Sequence, residues 1–176
     1  MKSSIIFSKK LFYSLLVLLI VCIATMRYFD APLKNEVTPN GIVSFELAKE
    51  LPVSKAILNS WNEQAKSTAG LSLGFDFLFL LVYASFIALL IFRVNDRVWK
   101  GRSFYKVGRF MIYAIFIGAI FDIIENIALI KLLVGDFKQT WSTVAYYFAI
   151  LKFAVLLLCV FYLLISWTGL LLKKNN

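Results

Sequence analysis

Four apolar stretches constrain what this chain can fold into more than any other feature of its sequence. A helix needs about 20 residues to cross a hydrocarbon core about 30 Å thick. The stretches cover residues 11–29, 71–92, 110–134 and 143–172. None of them shows the alternation typical of the strands of a membrane barrel. The sequence therefore predicts an all-α integral membrane protein, with four transmembrane helices forming a single bundle domain over residues 1–176.

Composition excludes the soluble classes and several kinds of chemistry. Hydrophobic residues make up 61% of the chain and charged residues 16%, whereas about 45–50% of an ordinary soluble domain is apolar. Histidine is absent, which excludes His-ligated haem and His-based zinc sites. Cys22 and Cys159 lie inside apolar stretches and form no CxxC pair, so no thiol redox motif is present. We predict no cofactor and no metal site.

Basic residues in the short flanks predict the orientation of the bundle. Residues 93–109, between the second and third stretches, carry six basic residues against one aspartate. The N-terminus adds Lys2, Lys9 and Lys10, and the C-terminus adds Lys173 and Lys174. We therefore expect both termini in the cytoplasm and residues 30–70 on the outer side of the membrane. The membrane is expected to be the inner, or plasma, membrane of a bacterium. The lipid bilayer explains this charge, and nucleic acid is not predicted as a partner.

The first stretch is predicted to remain as a helix. It follows a basic start, as the apolar region of a signal peptide does, but it is long for such a region. No cleavage site of the A-x-A type follows it. The pattern favours a retained first transmembrane helix.

Amphipathic helices are predicted in the outer loop between the first and second stretches. Apolar residues recur at four-residue spacing from Val53 through Trp61 to Ala65, and Pro52 suits the first turn of a helix. A shorter helix is expected over residues 42–50. We expect both helices to lie on the outer membrane face, with Trp61 at headgroup depth. They would serve either as a surface cap or as a lid over a cavity in the bundle.

Four ionisable residues lie within the apolar stretches. They are Asp76, Asp122, Glu125 and Lys152. Each would cost about 2.5–3.5 kcal/mol if it were charged and unpaired near the bilayer centre. The rise of about 1.5 Å per residue places all four in the outer half of the membrane, where we expect Lys152 to pair with Asp122 or Glu125. Three carboxyl groups against one ammonium group predict a protonated acid or uptake of a cation.

One face of the third helix is the most informative part of the chain. Asp122, Glu125 and Asn126 share that face because residues three and four positions apart lie together on a helix. Gly118 continues it, which favours close approach of another helix. Glu125 and Asp122 are candidate catalytic residues, since carboxyl groups one turn apart suit acid–base chemistry. The candidate binding residues are Asp76, Asn126, Lys152 and Tyr83.

Two functions from different classes fit this pattern. The first is binding of an amphipathic or lipidic small molecule in an outward-opening intramembrane pocket, with acid–base catalysis as an option. The second is a non-catalytic helper subunit of a larger membrane complex, or a homo-oligomer, in which the charged cluster is a structural network. A proton- or cation-coupled transporter is a third, and it would need an oligomer to form a pathway. Whether the protein is an enzyme stays open.

The layout of the predicted bundle resembles that of the EXPERA superfamily of sterol isomerases and sterol-binding proteins. The likeness concerns four spans with cytoplasmic termini, a helical outer loop and acids in the outer half. In size and topology the chain also resembles signal peptidase II, but the GNxxDR-type and FNxAD-type segments of that family are absent. No motif transfers a residue role, and no family is assigned.

Overall fold

The structure, a computed structural model, describes residues 8–174 and the side chains up to Gly169. The helices, numbered in chain order, are α1 (Lys9–Asp30), α2 (Ile42–Glu46), α3 (Leu51–Ser60), α4 (Glu63–Val98), α5 (Tyr105–Leu133) and α6 (Gln139–Lys174). A 3-10 turn, Ala31–Leu33, follows α1. The long helices α1, α4, α5 and α6 are each long and apolar enough to cross a membrane. The described residues contain no strand, and the predicted fold class is confirmed.

Part of the basic flanks is not described. Lys2, which contributes to the predicted orientation, lies outside the described residues. The side chains of Lys173 and Lys174 are not described either. The described basic residues that carry the predicted orientation are the six within residues 93–109, and Lys9 and Lys10 at the start of α1.

Helix α4 begins earlier than its apolar stretch does. The sequence predicts a start near Leu71, whereas α4 begins at Glu63. The Asn62 side-chain oxygen caps the helix by accepting a hydrogen bond from the Ala65 N–H, at 2.8 Å. Ala69, which precedes the apolar stretch, is also buried in an apolar core. The cap and this packing extend the helix beyond the point where apolar periodicity alone would start it.

The predicted helix through Trp61 is wrong in its second half, and Trp61 is buried within the protein rather than on its surface. Helix α3 ends at Ser60, and the backbone at Trp61 is extended. The Trp61 side chain is only 3% exposed, and its Nε1 donates a hydrogen bond to the Leu33 carbonyl oxygen at 2.9 Å. The shorter predicted helix also stops early, at Glu46. The four-residue apolar spacing reflects burial against the bundle, which a sequence pattern cannot distinguish from burial against lipid.

Helix packing is uneven around the bundle. Helix α5 packs against both α4 and α6, whereas α1 packs chiefly against α4. A Cβ atom added at Gly118 of α5 would lie 3.1 Å from Val155 Cγ1 of α6. This confirms that Gly118 permits a close approach between two helices.

The short helices α2 and α3 cover one end of the bundle, here called the capped end. Phe45, Ile57 and Trp61 from this cap pack into one apolar cluster with Leu129 of α5 and Ala145 of α6. The opposite end, called the basic end, carries the segment that joins α4 to α5. The cap is therefore part of the core and does not merely rest on its surface.

Hydrogen bonds fix both sides of the cap. Asp30 Oδ1, at the end of α1, accepts a hydrogen bond from the Ile42 N–H at 2.8 Å. Gln139, at the start of α6, accepts one from the Leu51 N–H and donates one to the Lys49 carbonyl oxygen, each at 2.9 Å. Helix α2 is thus held against the end of the bundle at its start and just after its end.

Candidate functional site

Lys152 lies at the centre of the charged cluster. Its Nζ is 2.9 Å from Asp122 Oδ1 and 2.9 Å from both carboxyl oxygens of Glu125. A third carboxyl group, that of Glu46, lies 3.6 Å away. The predicted pairing of Lys152 with Asp122 or Glu125 is confirmed, and the structure pairs it with both.

The sequence of α6 brings Lys152 close to α5. Ala145 and Ala149 lie seven and three residues before Lys152 and share one helical face with it, and both alanines are buried. Small side chains let α6 approach α5 closely. The lysine then meets Asp122 and Glu125, which lie one turn apart on the facing side of α5.

Two further hydrogen bonds connect α4 to the acids and the amide of α5. Tyr83 donates its hydroxyl hydrogen to Asp122 Oδ2 at 2.9 Å. Asn126 Nδ2 donates to Asp76 Oδ2 at 2.7 Å. All six residues predicted from the sequence are therefore brought together: Asp76, Tyr83, Asp122, Glu125, Asn126 and Lys152.

Glu46 is a member of the cluster that the sequence reasoning missed. It lies at the end of α2, outside the apolar stretches, and its side chain is buried above Lys152. Burial raises the pKa of the Glu46 carboxyl group, and the nearby Lys152 ammonium group opposes that rise. Its signal in the sequence is an acid four residues after Ile42 and next to Phe45, on the buried face of a short amphipathic helix.

A cavity of about 390 Å³ lies beside the cluster, between α1 and α6. Its walls are mainly apolar and include Leu19, Ile23 and Met26 of α1 and Phe153 and Leu156 of α6. Its polar lining consists of Glu46, Ser72, Asp76, Tyr83, Asp122, Asn126 and Lys152. A polar patch in an apolar cavity of this size is typical of small-molecule sites, which measure about 300–1,000 Å³.

The two candidate catalytic residues differ in their access to this cavity. Asp122 lines it, whereas Glu125 does not, and the Glu125 side chain is 0% exposed. Glu125 contacts Lys152 from the protein side and can act on a bound molecule only through that lysine. Within the described part of the chain, no cluster of His, Cys, Asp or Glu is arranged to hold a metal ion.

The chain matches no protein-family model, no curated protein and no solved structure. The resemblance in layout to the EXPERA superfamily therefore has no family match behind it. What the site does has to be inferred from the chemistry of its own residues.

Proposed function

We propose that the protein binds an amphipathic or lipidic molecule within the bilayer, in the cavity between α1 and α6. The observation that carries this proposal is the cavity itself, because it joins apolar walls to a cluster of charged side chains. An amphipathic molecule has the same two parts. Its chain would contact the walls, and its polar end would meet the cluster.

The rim of the cavity supports entry from the lipid. Ile23 of α1 and Phe153 of α6 both line the cavity, and they are 41% and 40% exposed. Helices α1 and α6 are not among the helix pairs that pack extensively. A chain lying in the bilayer would pass between these two side chains without entering water.

Acid–base catalysis on the bound molecule is the optional part of this proposal. Asp122 and Lys152 are in position for it, because both line the cavity, and Tyr83 is hydrogen-bonded to Asp122. Glu125 would then act as a positioning residue, since it holds Lys152 from behind. A general acid or base has to reach the reacting group directly or through one water.

Filling the cavity tests the proposal. The Ile23→Trp variant places a larger side chain at the rim. We expect the amount of co-purifying lipid or ligand to fall about tenfold or more, because the indole ring would occupy the space in which the bound molecule contacts the cavity walls. The measurement is native mass spectrometry of protein extracted from membranes in mild detergent. The matched control is Ile20→Trp, because Ile20 lies on the same helix, is 57% exposed and does not line the cavity. Equal retention of bound molecules by both variants would contradict the proposal.

We also propose that the capped end faces the outside of a plasma membrane and that both termini are cytoplasmic. The support is the basic end, whose exposed residues include Arg97, Arg102 and Lys106, since cytoplasmic flanks carry the excess of basic residues. Under this orientation the cavity and its charged cluster lie in the outer half of the membrane.

Cysteine labelling tests the orientation. An impermeant maleimide should label Asn59→Cys in intact cells and should label Lys106→Cys only after permeabilisation. Both positions are exposed, while the native Cys22 and Cys159 are buried and should give little background. The opposite labelling pattern would invert the assignment and direct the cluster toward the cytoplasm.

A further inference from the structure

We propose that the polar end of the ligand is a primary ammonium group held by Ser72, Asp76 and Asn126. This inference rests on the proposed ligand-binding function and specifies the ligand as a single-chain amphiphile with a cationic head. Ser72 and Asp76 lie one turn apart on α4, Asn126 faces them from α5, and all three line the cavity.

The charges of the cluster are unequally distributed. Lys152 has three carboxyl groups within 4 Å, those of Glu46, Asp122 and Glu125. Among the described residues, no basic group lies within that distance of Asp76. A buried carboxylate is costly without a cation or hydrogen-bond donors beside it. Asp76 therefore forms the part of the cluster that a cationic ligand would complete.

Two buried polar groups beside Asp76 have no hydrogen-bond donor in the described part of the chain. Asn126 directs its Nδ2 to Asp76 Oδ2, because a carboxylate only accepts hydrogen bonds. This leaves Asn126 Oδ1 buried without a hydrogen-bond partner among the described residues. Ser72 Oγ is also buried without such a partner. Both side chains are 1% exposed and line the cavity.

A primary ammonium group matches these acceptors in number and in charge. It donates three hydrogen bonds and accepts none, and Asp76, Asn126 Oδ1 and Ser72 Oγ together offer three acceptors. A carboxylate or phosphate head would instead lie among acidic groups, beside a lysine that three acids already contact. An alcohol would satisfy some of the acceptors but would leave the charge of Asp76 unpaired.

The experiment compares three heads on one chain. Dodecylammonium, dodecanol and dodecanoate are added to the full-length protein in phosphatidylcholine nanodiscs, and binding is read from the rise in unfolding temperature with concentration. We expect dodecylammonium to bind about tenfold or more tightly than the other two, because a hydrogen bond to a charged group is stronger than a neutral one. The net charge of the protein is +9, so non-specific attraction would favour dodecanoate instead.

Two variants of α4 locate the effect. Asp76→Asn should abolish the preference for the ammonium head over the alcohol head. Asp96→Asn is the matched control, since Asp96 lies on the same helix, does not line the cavity and pairs with Lys100 at 3.4 Å. If Asp76→Asn does not fold, the ranking of the three heads on the unsubstituted protein still decides the inference.

The outcomes separate this inference from the proposed function. Equal binding of the three heads, or preference for dodecanoate, would overturn the ammonium head while leaving a lipid-binding cavity. Binding of none of them would overturn both. Stabilisation by methylammonium alone, as strong as that by dodecylammonium, would keep the cation site and overturn the amphiphile. Stabilisation by sodium ions as strong as that by dodecylammonium would indicate a site for an inorganic cation and overturn the inference.

Discussion

Replacing Lys152 with methionine is expected to lower the free energy of unfolding by about 3–5 kcal/mol, because it leaves buried carboxyl groups without their cation. The lysine contacts Asp122 and Glu125 at 2.9 Å and Glu46 at 3.6 Å. Methionine keeps most of the length of the side chain, so most of the effect should come from charge rather than from a cavity. The measurement is reversible unfolding of the purified protein in mixed micelles.

Second substitutions test whether the loss comes from the pairing. Neutralising one acid, by Glu125→Gln or Asp122→Asn, should recover part of the loss in the Lys152→Met background. The matched control is Lys131→Met, which removes an exposed lysine at the end of α5 and should change stability little. Strict additivity of the single and double substitutions would show that the lysine and the acids do not interact.

The four long helices were predictable because their burial in lipid requires long apolar runs. Their ends were less predictable, since ends are set by local contacts. Helix α4 starts at Glu63 because Asn62 caps it and Ala65 packs inside the capped end. The apolar stretch marks only the part of the helix whose composition suits hydrocarbon.

Much of the cluster was predictable for a different reason. A charged side chain inside an apolar run has a high cost unless it finds a partner, so Asp122, Glu125 and Lys152 were expected to meet. Helical spacing and rise were enough to place them at similar depth. The contacts of Lys152 with both acids agree with this expectation.

Glu46 and the buried state of Trp61 were not predictable from the same signals. Both belong to the cap. An acid in a polar loop has no energetic cost of the kind that identifies a charged residue inside an apolar stretch. The cap folds inward because Asp30 and Gln139, far apart in sequence, bind its backbone. The cavity is likewise a property of packing, since it depends on how far α1 lies from α6.

The Gly41→Ala variant is expected to lose about 2–4 kcal/mol of stability, the sum of a strained backbone and a lost helix cap. Gly41 has a φ of +58°, which disfavours any residue with a Cβ atom. A Cβ atom there would also overlap the Asp30 carboxyl group, which accepts the Ile42 N–H at the start of α2. The substitution should therefore release α2 and, with it, Glu46.

Two other glycines separate these two causes. Gly135 has a φ of +95° and open space around it. Gly135→Ala should therefore lose only the stability that backbone strain costs, about 1–3 kcal/mol. Gly74 lies within α4 and is also open, so Gly74→Ala should be neutral or stabilising by up to about 1 kcal/mol. Hydrogen exchange at the Phe45 amide should speed up in Gly41→Ala alone, because α2 opens locally. If Gly41→Ala and Gly135→Ala lose the same stability and leave that exchange unchanged, Asp30 does not hold the cap, and the position of Glu46 above Lys152 must depend on apolar packing instead.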